Sequence, residues 1–240
     1  MNYNYKIVTT SWDDGHILDI KLADLLRRYQ IPATLYVSPN GRQWLKKDIL
    51  TSKQTIKLNN DFEIGAHTIT HPDLTKISLK EAAREIRESK EYLENLLGKK
   101  VPMFCYPKGL YNEEIKKLTK RAGYLGARTI KTFRTRPPSD FFEMGTTNHS
   151  VNRSIGYSLA LALANNPKFI PFSFYRDWVK VSCKTFDVVQ KDGGIWHFWG
   201  HSWQIEQNNW WGKLEEVLAY VANRTGVKYL TNGETLECLK

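Results

Sequence analysis

Short apolar runs alternate along this chain with longer stretches of helical spacing, and each pair predicts a strand followed by a helix. Tyr5–Thr10 reads as a buried strand, and Ile17–Tyr29, with Leu18, Leu22, Leu25 and Leu26 at helical spacing, as the helix after it. Ala33–Val37, following Pro32, and Phe62–Ala66 predict the next two strands. Ser78 with Glu81 three residues on forms a capping box that opens a long helix, and Gly98 closes it. Met103–Tyr106 reads as a fourth strand, Glu113–Ala122 as a helix closed by Gly123, and Tyr124–Arg128 as a fifth strand. Arg134–Thr147, with Pro137 and Pro138, reads as a loop, and Ile155–Ala164 and Asp177–Gln190 as helices. Ile195–Trp199 predicts a strand, Trp210–Arg224 a helix and Val227–Leu230 a last strand. Such alternation argues for a parallel sheet with crossover helices. Periodicity leaves an open sheet and a barrel both standing, and in either one functional residues gather at the carboxyl ends of the strands.

No repeat, low-complexity tract or linker divides the 240 residues, so one domain over residues 1–240 is expected. A net charge of +10 raises nucleic acid as a partner. The basic residues are dispersed or interleaved with acids, as across Lys80–Lys100, which reads as a solvated helix face, and no nucleic-acid motif accompanies them. Neither nucleic acid nor membrane is therefore expected as a partner, since no apolar run is long enough to span a bilayer. Met1–Lys6 is polar and lacks a secretory apolar segment, which gives a cytoplasmic expectation. Cys105, Cys183 and Cys238 lie far apart and form neither a disulfide framework nor a thiolate zinc site. Eight Trp and twelve Tyr supply aromatic faces of the kind that carbohydrate sites use, as well as core.

Three constellations carry chemistry, each at a predicted strand end. Thr10-Ser11-Trp12-Asp13-Asp14-Gly15 puts two adjacent carboxylates after the first strand. Such neighbours repel unless a cation or a proton lies between them, although an Asp-Asp-Gly turn is also ordinary loop chemistry. His67-Thr68-Ile69-Thr70-His71 follows the third strand, and H-x-x-x-H in a helical turn sets both imidazoles on one face. Two histidines and a carboxylate leave coordination positions open, as catalytic rather than structural sites do. Gly194 to His201 is a strand running into a histidine, with His197, Trp199 and His201 on one side. His201 falls where a general acid reaches the rim. His197, inside the strand, fits a hydrogen-bonded core histidine at least as well as a functional one.

Together these residues resemble the polysaccharide deacetylase family, also called the NodB-homology or carbohydrate esterase 4 family. Its first motif, T-F-D-D-G, is similar to Thr10–Gly15, and its second, H-[ST]-x-x-H, is matched by His67–His71. Its third, R-P-P-Y-G, has its nearest counterpart in Cys105-Tyr106-Pro107-Lys108-Gly109, and its last, an apolar strand ending in His, in Gly194–His201. The resemblance implies a distorted (β/α) barrel of about seven parallel strands. It implies a divalent metal, usually zinc, held by Asp14, His67 and His71, with Asp13 as general base and His201 as the acid. It implies an oxyanion held beside Lys108. Trp12, Tyr106, Arg128 and His197 are further candidates for oxyanion or substrate contacts. The substrate would be an N-acylated glycan or amino sugar. Two departures stand out. The third-motif Arg is Cys105 here, with Arg128 at the next strand end as a candidate substitute. Of the fourth motif, D-x-x-D-W, only Asp177-Trp178 has a counterpart. A small-molecule amidase of the allantoinase kind and a non-catalytic glycan binder remain the alternatives.

Overall fold

The strand β1 (Lys6–Trp12) runs two residues beyond its apolar run because β7 (Gly194–Gly200) pairs with it in parallel from Lys6↔Gly194 to Trp12↔Gly200. In this computed structural model, which describes residues 3–152 and 172–240, the other strands build outward from β1. They are β2 (Ala33–Val37), β3 (Glu63–Ala66), β4 (Met103–Cys105), β5 (Gly126–Arg128) and β6 (Asn148–His149). The order is β5-β4-β3-β2-β1-β7-β6, and every pairing is parallel. The helix expected over Ile155–Ala164 lies outside the described residues.

Segment 144–149 joins the two edges of this sheet. β6 pairs with β7, while Met144 N–H donates to the Ala127 carbonyl at 2.9 Å and the Met144 carbonyl accepts from Thr129 N–H at 2.8 Å. The seven strands thus curl into the distorted barrel that the motifs imply. The expected loop 134–147 is irregular, as its prolines demand, apart from one 3-10 turn at Phe141–Glu143. At the amino-terminal end the barrel is split. β2 pairs only with the last residues of β1, and β8 (Lys228–Tyr229) pairs with Ile7 and Val8.

The crossover helices are α1 (Asp19–Arg28), α2 (Ser52–Leu58), α3 (Leu79–Leu97), α4 (Glu113–Arg121) and α5 (Trp178–Asp192). The carboxy-terminal part adds α6 (Ser202–Gln207), α7 (Trp211–Val221) and α8 (Asn232–Cys238). The capping box of Ser78 and Glu81 forms as expected, and Gly98 ends α3 in the left-handed region. α8 fills the split between β1 and β2. Asn232 accepts from Thr9 Oγ1 and donates to Tyr36 Oη, both at 2.9 Å.

The two faces of the strands differ in kind. Val8, Trp12, Leu35, Ile64, Phe104, Trp196 and Phe198 join the large apolar cluster beneath the helices. The alternate positions point inward. There Ser11, Tyr36, His67, Cys105, Arg128 and His197 make polar or ring contacts with residues of other strands and loops. Strand parity therefore supplies an apolar jacket and a polar interior, and that interior opens at the carboxyl ends.

β5 is wedged between the turn at Phe141 and α8. A Cβ on Gly126 would collide with the Leu236 side chain and come within 2.7 Å of the Phe141 carbonyl oxygen, which is backbone and has little room to yield. Gly126→Ala should lower the free energy of unfolding in urea by about 1–3 kcal/mol, the usual cost of overpacking. An unchanged midpoint would show that this closing strand is looser than described.

Candidate active site

The residues after β1 leave the strand under backbone constraint. Asp13 N–H still donates to the Gly200 carbonyl at 3.1 Å, extending the ladder by one residue. Asp14 then takes φ 84° and Gly15 φ 67°, turning the chain sharply. A non-glycine residue at such a φ is costly, and it is held here by what surrounds it.

The second histidine motif converges by a different route from the helical turn its spacing suggests. Residues 67–71 are not helical: Thr68 and His71 have φ 65° and 58°. Glu85 on α3 fixes this turn, accepting from the backbone N–H groups of Ile69 and Thr70 at 2.8 and 2.9 Å and from Thr70 Oγ1 at 2.8 Å. The result still brings both rings together, with centroids 4.7 Å apart.

Asp14, His67 and His71 offer ligand atoms that all lie within 4.8 Å of one another. Asp14 Oδ1 is 3.8 Å from His67 Nε2 and 3.5 Å from His71 Nε2. Ligands at about 2.0–2.2 Å from a tetrahedral ion stand roughly 3.3–3.6 Å apart; the Asp14–His71 spacing falls in that range and the Asp14–His67 spacing just beyond it, so the set can converge on a divalent metal. His67 Nδ1 lies 2.7 Å from the Cys105 carbonyl, which can only accept, so Nδ1 carries the proton and Nε2 presents its lone pair toward Asp14. Burial holds the His67 imidazole below its usual range, and burial with the neighbouring His67 brings His71 down to about 4. Both rings are neutral at pH 7, the form that binds a metal. A second cluster, Asp13, His67 and Cys105, also converges. It suits a cation less well, because burial drives the Cys105 thiol well above its ordinary value and Asp13 already has a cationic partner.

That partner is Arg128. Its guanidinium, fully buried at the end of β5, contacts Asp13 Oδ1 through Nη2 and lies over the rings of Trp199, at 4.6 Å, and Tyr36, at 5.3 Å. Cys105, at the position of the absent third-motif arginine, places Sγ 3.8 Å from Asp13 Oδ2. Burial pushes the Asp13 carboxyl up. The charge of Arg128, then those of His67 and His201, and the Arg128 hydrogen bond outweigh it, leaving Asp13 at about 2.

Above these groups lies a cavity of about 370 Å3 lined by Asp13, Asp14, His67, His71, Lys108 and His201, among others, with Trp44, Trp199 and Trp203 in its wall. Lys108 is exposed at its mouth, in a turn where Lys108 and Gly109 both have positive φ. His201 donates Nδ1–H to Gln204 Oε1 at 2.8 Å. The structure does not bring Trp12, Tyr106 or His197 to this cavity. Trp12 and Tyr106 have the opposite strand parity to Asp13 and Cys105. Trp12 packs under the helices, and Tyr106 stacks on Tyr111 with its hydroxyl donating to the Phe142 carbonyl at 3.2 Å. His197 has the right parity but lies too deep. It donates Nδ1–H to the Gly145 carbonyl at 3.1 Å and accepts from Ser11 Oγ at 2.8 Å. His149 stacks on Trp199 with centroids 3.8 Å apart, and Asp177 caps α5.

The polysaccharide deacetylase family model matches residues 2–127, the half of the chain that carries Asp13, Asp14, His67, His71 and Cys105. This chain belongs to the polysaccharide deacetylase family. The Bacillus subtilis peptidoglycan-N-acetylmuramic acid deacetylase PdaC is 28% identical over 115 residues, 47% of this chain and 24% of PdaC. The chain spans less than half the length of the curated relatives it matches. Among solved structures, the chitin deacetylase of the fungus Colletotrichum lindemuthianum superposes with a TM-score of 0.65 at 15% identity, over 98% of this chain and 89% of that one. The Xyl-CE4 domain of a multidomain xylanase from the hindgut metagenome of Trinervitermes trinervoides gives 0.58 at 16%, over 98% and 91%. At these identities the likeness is one of fold, and it agrees with the barrel described above. Among the described residues, no helix is long and apolar enough to cross a membrane.

Trp44, Trp203, Gln204 and Glu85 are the residues that sequence reasoning misses. Of these, Trp203 and Gln204, two and three residues after His201, had a positional signal.

His197 yields a prediction about acid stability. Burial, then the charge of Arg128, lowers it from 6.5 to about 3. Between these values the unfolded chain binds a proton that the folded chain does not. Stability contributed by neutral His197 is therefore complete above pH 6.5 and falls by about 1.4 kcal/mol per pH unit as pH drops toward 3. Urea unfolding of the chelator-treated protein at pH 7, 6, 5 and 4 should therefore be read against a His197 variant, because His71 adds to this decline while the Asp19 carboxyl, raised by burial to about 8, opposes it. His197→Gln should flatten the slope by about that amount, whatever its absolute stability, and equal slopes would contradict the neutral buried histidine.

Proposed function

We propose that this chain is a metal-dependent hydrolase that removes an N-acyl group, foremost N-acetyl, from an amino-sugar unit of a glycan. The observation that carries this reading is one geometry. A carboxylate and two neutral imidazoles converge beside a second carboxylate, kept ionised at neutral pH by Arg128, at the floor of a tryptophan-walled pocket. Family membership and the name of PdaC support the substrate class.

Asp14, His67 and His71 would hold the ion, and two imidazoles with one carboxylate favour zinc. When bound, it supplies Lewis acidity, acidifying water and polarising the acyl carbonyl. Asp13 accepts the proton of the attacking water on Oδ2, since Arg128 occupies Oδ1. A carboxylate held at about 2 is a weak base, and its merit is to be ionised across the whole working range. The oxygen of that water bonds to the acyl carbon, and the carbon–nitrogen bond breaks. His201, oriented through Nδ1–H by Gln204, acts as the imidazolium: it delivers its Nε2 proton to the leaving nitrogen and is left neutral, and the proton taken up by Asp13 restores it after the products leave. The oxyanion falls to the backbone N–H of Lys108, because that of Gly109 already donates to the Tyr106 carbonyl at 2.8 Å. Trp44 and Trp203, both only half-buried in the wall, give the apolar faces on which a sugar ring stacks.

Zinc-loaded protein should release acetate from N-acetylated amino sugars or their oligomers and lose that activity on chelation. Asp13→Asn should keep its metal, measured by elemental analysis, and lose about 10²–10⁴-fold in turnover. Ring-opened products from cyclic imides with no acetate release would instead select the small-molecule amidase. Binding of glycans with neither product would select the binder.

A further inference from the structure

We infer that Trp203 is a positioning residue for Asp14, its indole N–H deciding which carboxylate oxygen faces the two histidines. The inference rests on Asp14, His67 and His71 being metal ligands. Trp203 Nε1–H donates to Asp14 Oδ2 at 2.9 Å. The other oxygen, Oδ1, is the one that lies 3.5 and 3.8 Å from His71 and His67. One oxygen is thus tied back to the pocket wall, and the other is presented as a single donor.

Asp14 needs such a hold. It sits past the end of β1 with φ 84°, before a glycine that also has positive φ, so no strand ladder fixes its side chain. Among the hydrogen bonds of the described residues, the indole N–H is the contact made by the Asp14 carboxylate. A carboxylate free to turn could offer either oxygen or both, and an imidazole pair waiting beside it would meet a less defined partner. Hydrogen bonds of this kind to a ligating carboxylate characteristically affect metal affinity 10–100-fold.

Trp203 is itself well placed to exert this control, because α6 is anchored by its neighbours. Ser202 Oγ donates to the buried Asp19 Oδ1 at 2.6 Å, and Gln204 accepts from His201 at 2.8 Å. Four consecutive residues, His201 to Gln204, therefore connect the proposed acid, the wall of α1 and the metal ligand. A disturbance at Asp14 is felt at His201, whose ring centroid lies 5.2 Å from that of Trp203.

The pocket contains its own control. Trp44 packs 5.1 Å from Trp203 between ring centroids, yet its Nε1 has no hydrogen-bond partner among the described residues. Both rings shape the wall, and only one reaches a ligand. Removing the N–H while keeping an aromatic ring should therefore matter at Trp203 and not at Trp44.

The test is the affinity for Zn2+ and Co2+, measured on folded protein by competition with a chromogenic chelator. Trp203→Phe and Trp203→Met should each bind 10–100-fold more weakly than wild type, and the visible bands of the Co2+ form should shift. Trp44→Phe should match wild type in both measurements. Two variants guard against one failing to fold. Wild-type affinity and an unaltered Co2+ spectrum in a folded Trp203 variant would overturn the positioning role while leaving the metal site standing. A folded wild-type protein that binds neither ion would overturn the metal reading itself, and this inference with it.

Discussion

The buried pair of Asp13 and Arg128 is the contact on which the site depends. It joins the carboxyl end of β1 to that of β5, strands separated by three others in the sheet. Removing two charges from water is expensive, and the pair persists only because each charge compensates the other. Arg128 has few polar partners beyond Asp13, and the faces of Tyr36 and Trp199 enclose it instead. A planar, permanently charged group tolerates that enclosure where an ammonium would not. The same charge keeps Asp13 ionised against the pull of burial. An arginine on β4 would meet this carboxylate from the neighbouring direction. With Cys105 there, a small thiol leaves room for Arg128 to reach across from β5.

The polar interior follows from strand parity. Because successive side chains alternate, fixing Asp13 at the rim also places Ser11 below it and Trp12 in the jacket. The rim then gathers residues under backbone strain. Asp14, Thr68, His71 and Lys108 all have positive φ without being glycine. Three of them, Asp14, His71 and Lys108, line one cavity and mark a surface shaped for something other than stability, and Glu85 and the ladder between β1 and β7 offset their cost.

The fold was legible because its strands announce themselves through apolar runs and their helices through spacing and caps. What escaped was short or depended on distant partners. β6 has two residues and exists because β7 and the Ala127–Thr129 backbone meet that segment. α2 and α8 begin with capping boxes, at Thr51 with Gln54 and at Thr231 with Glu234, so their signals were present in the sequence. At the site, the order of motifs led to Asp13, Asp14, His67, His71 and His201, which share one cavity. Trp12 and Tyr106 could have been set aside by counting parity from Asp13 and Cys105. The geometry of residues 67–71 could not be read, because a turn held by Glu85 looks in sequence like a helix face with an acid on it.

A double-mutant cycle in unfolding free energy tests the buried pair most directly. Asp13→Asn and Arg128→Met are each expected to cost about 3–5 kcal/mol, since each leaves the other charge buried without a partner. The double variant should then be no less stable than the worse single variant, giving a coupling energy of several kcal/mol. Additive losses, with the double variant destabilised by the full sum, would contradict an ion pair at the centre of the site.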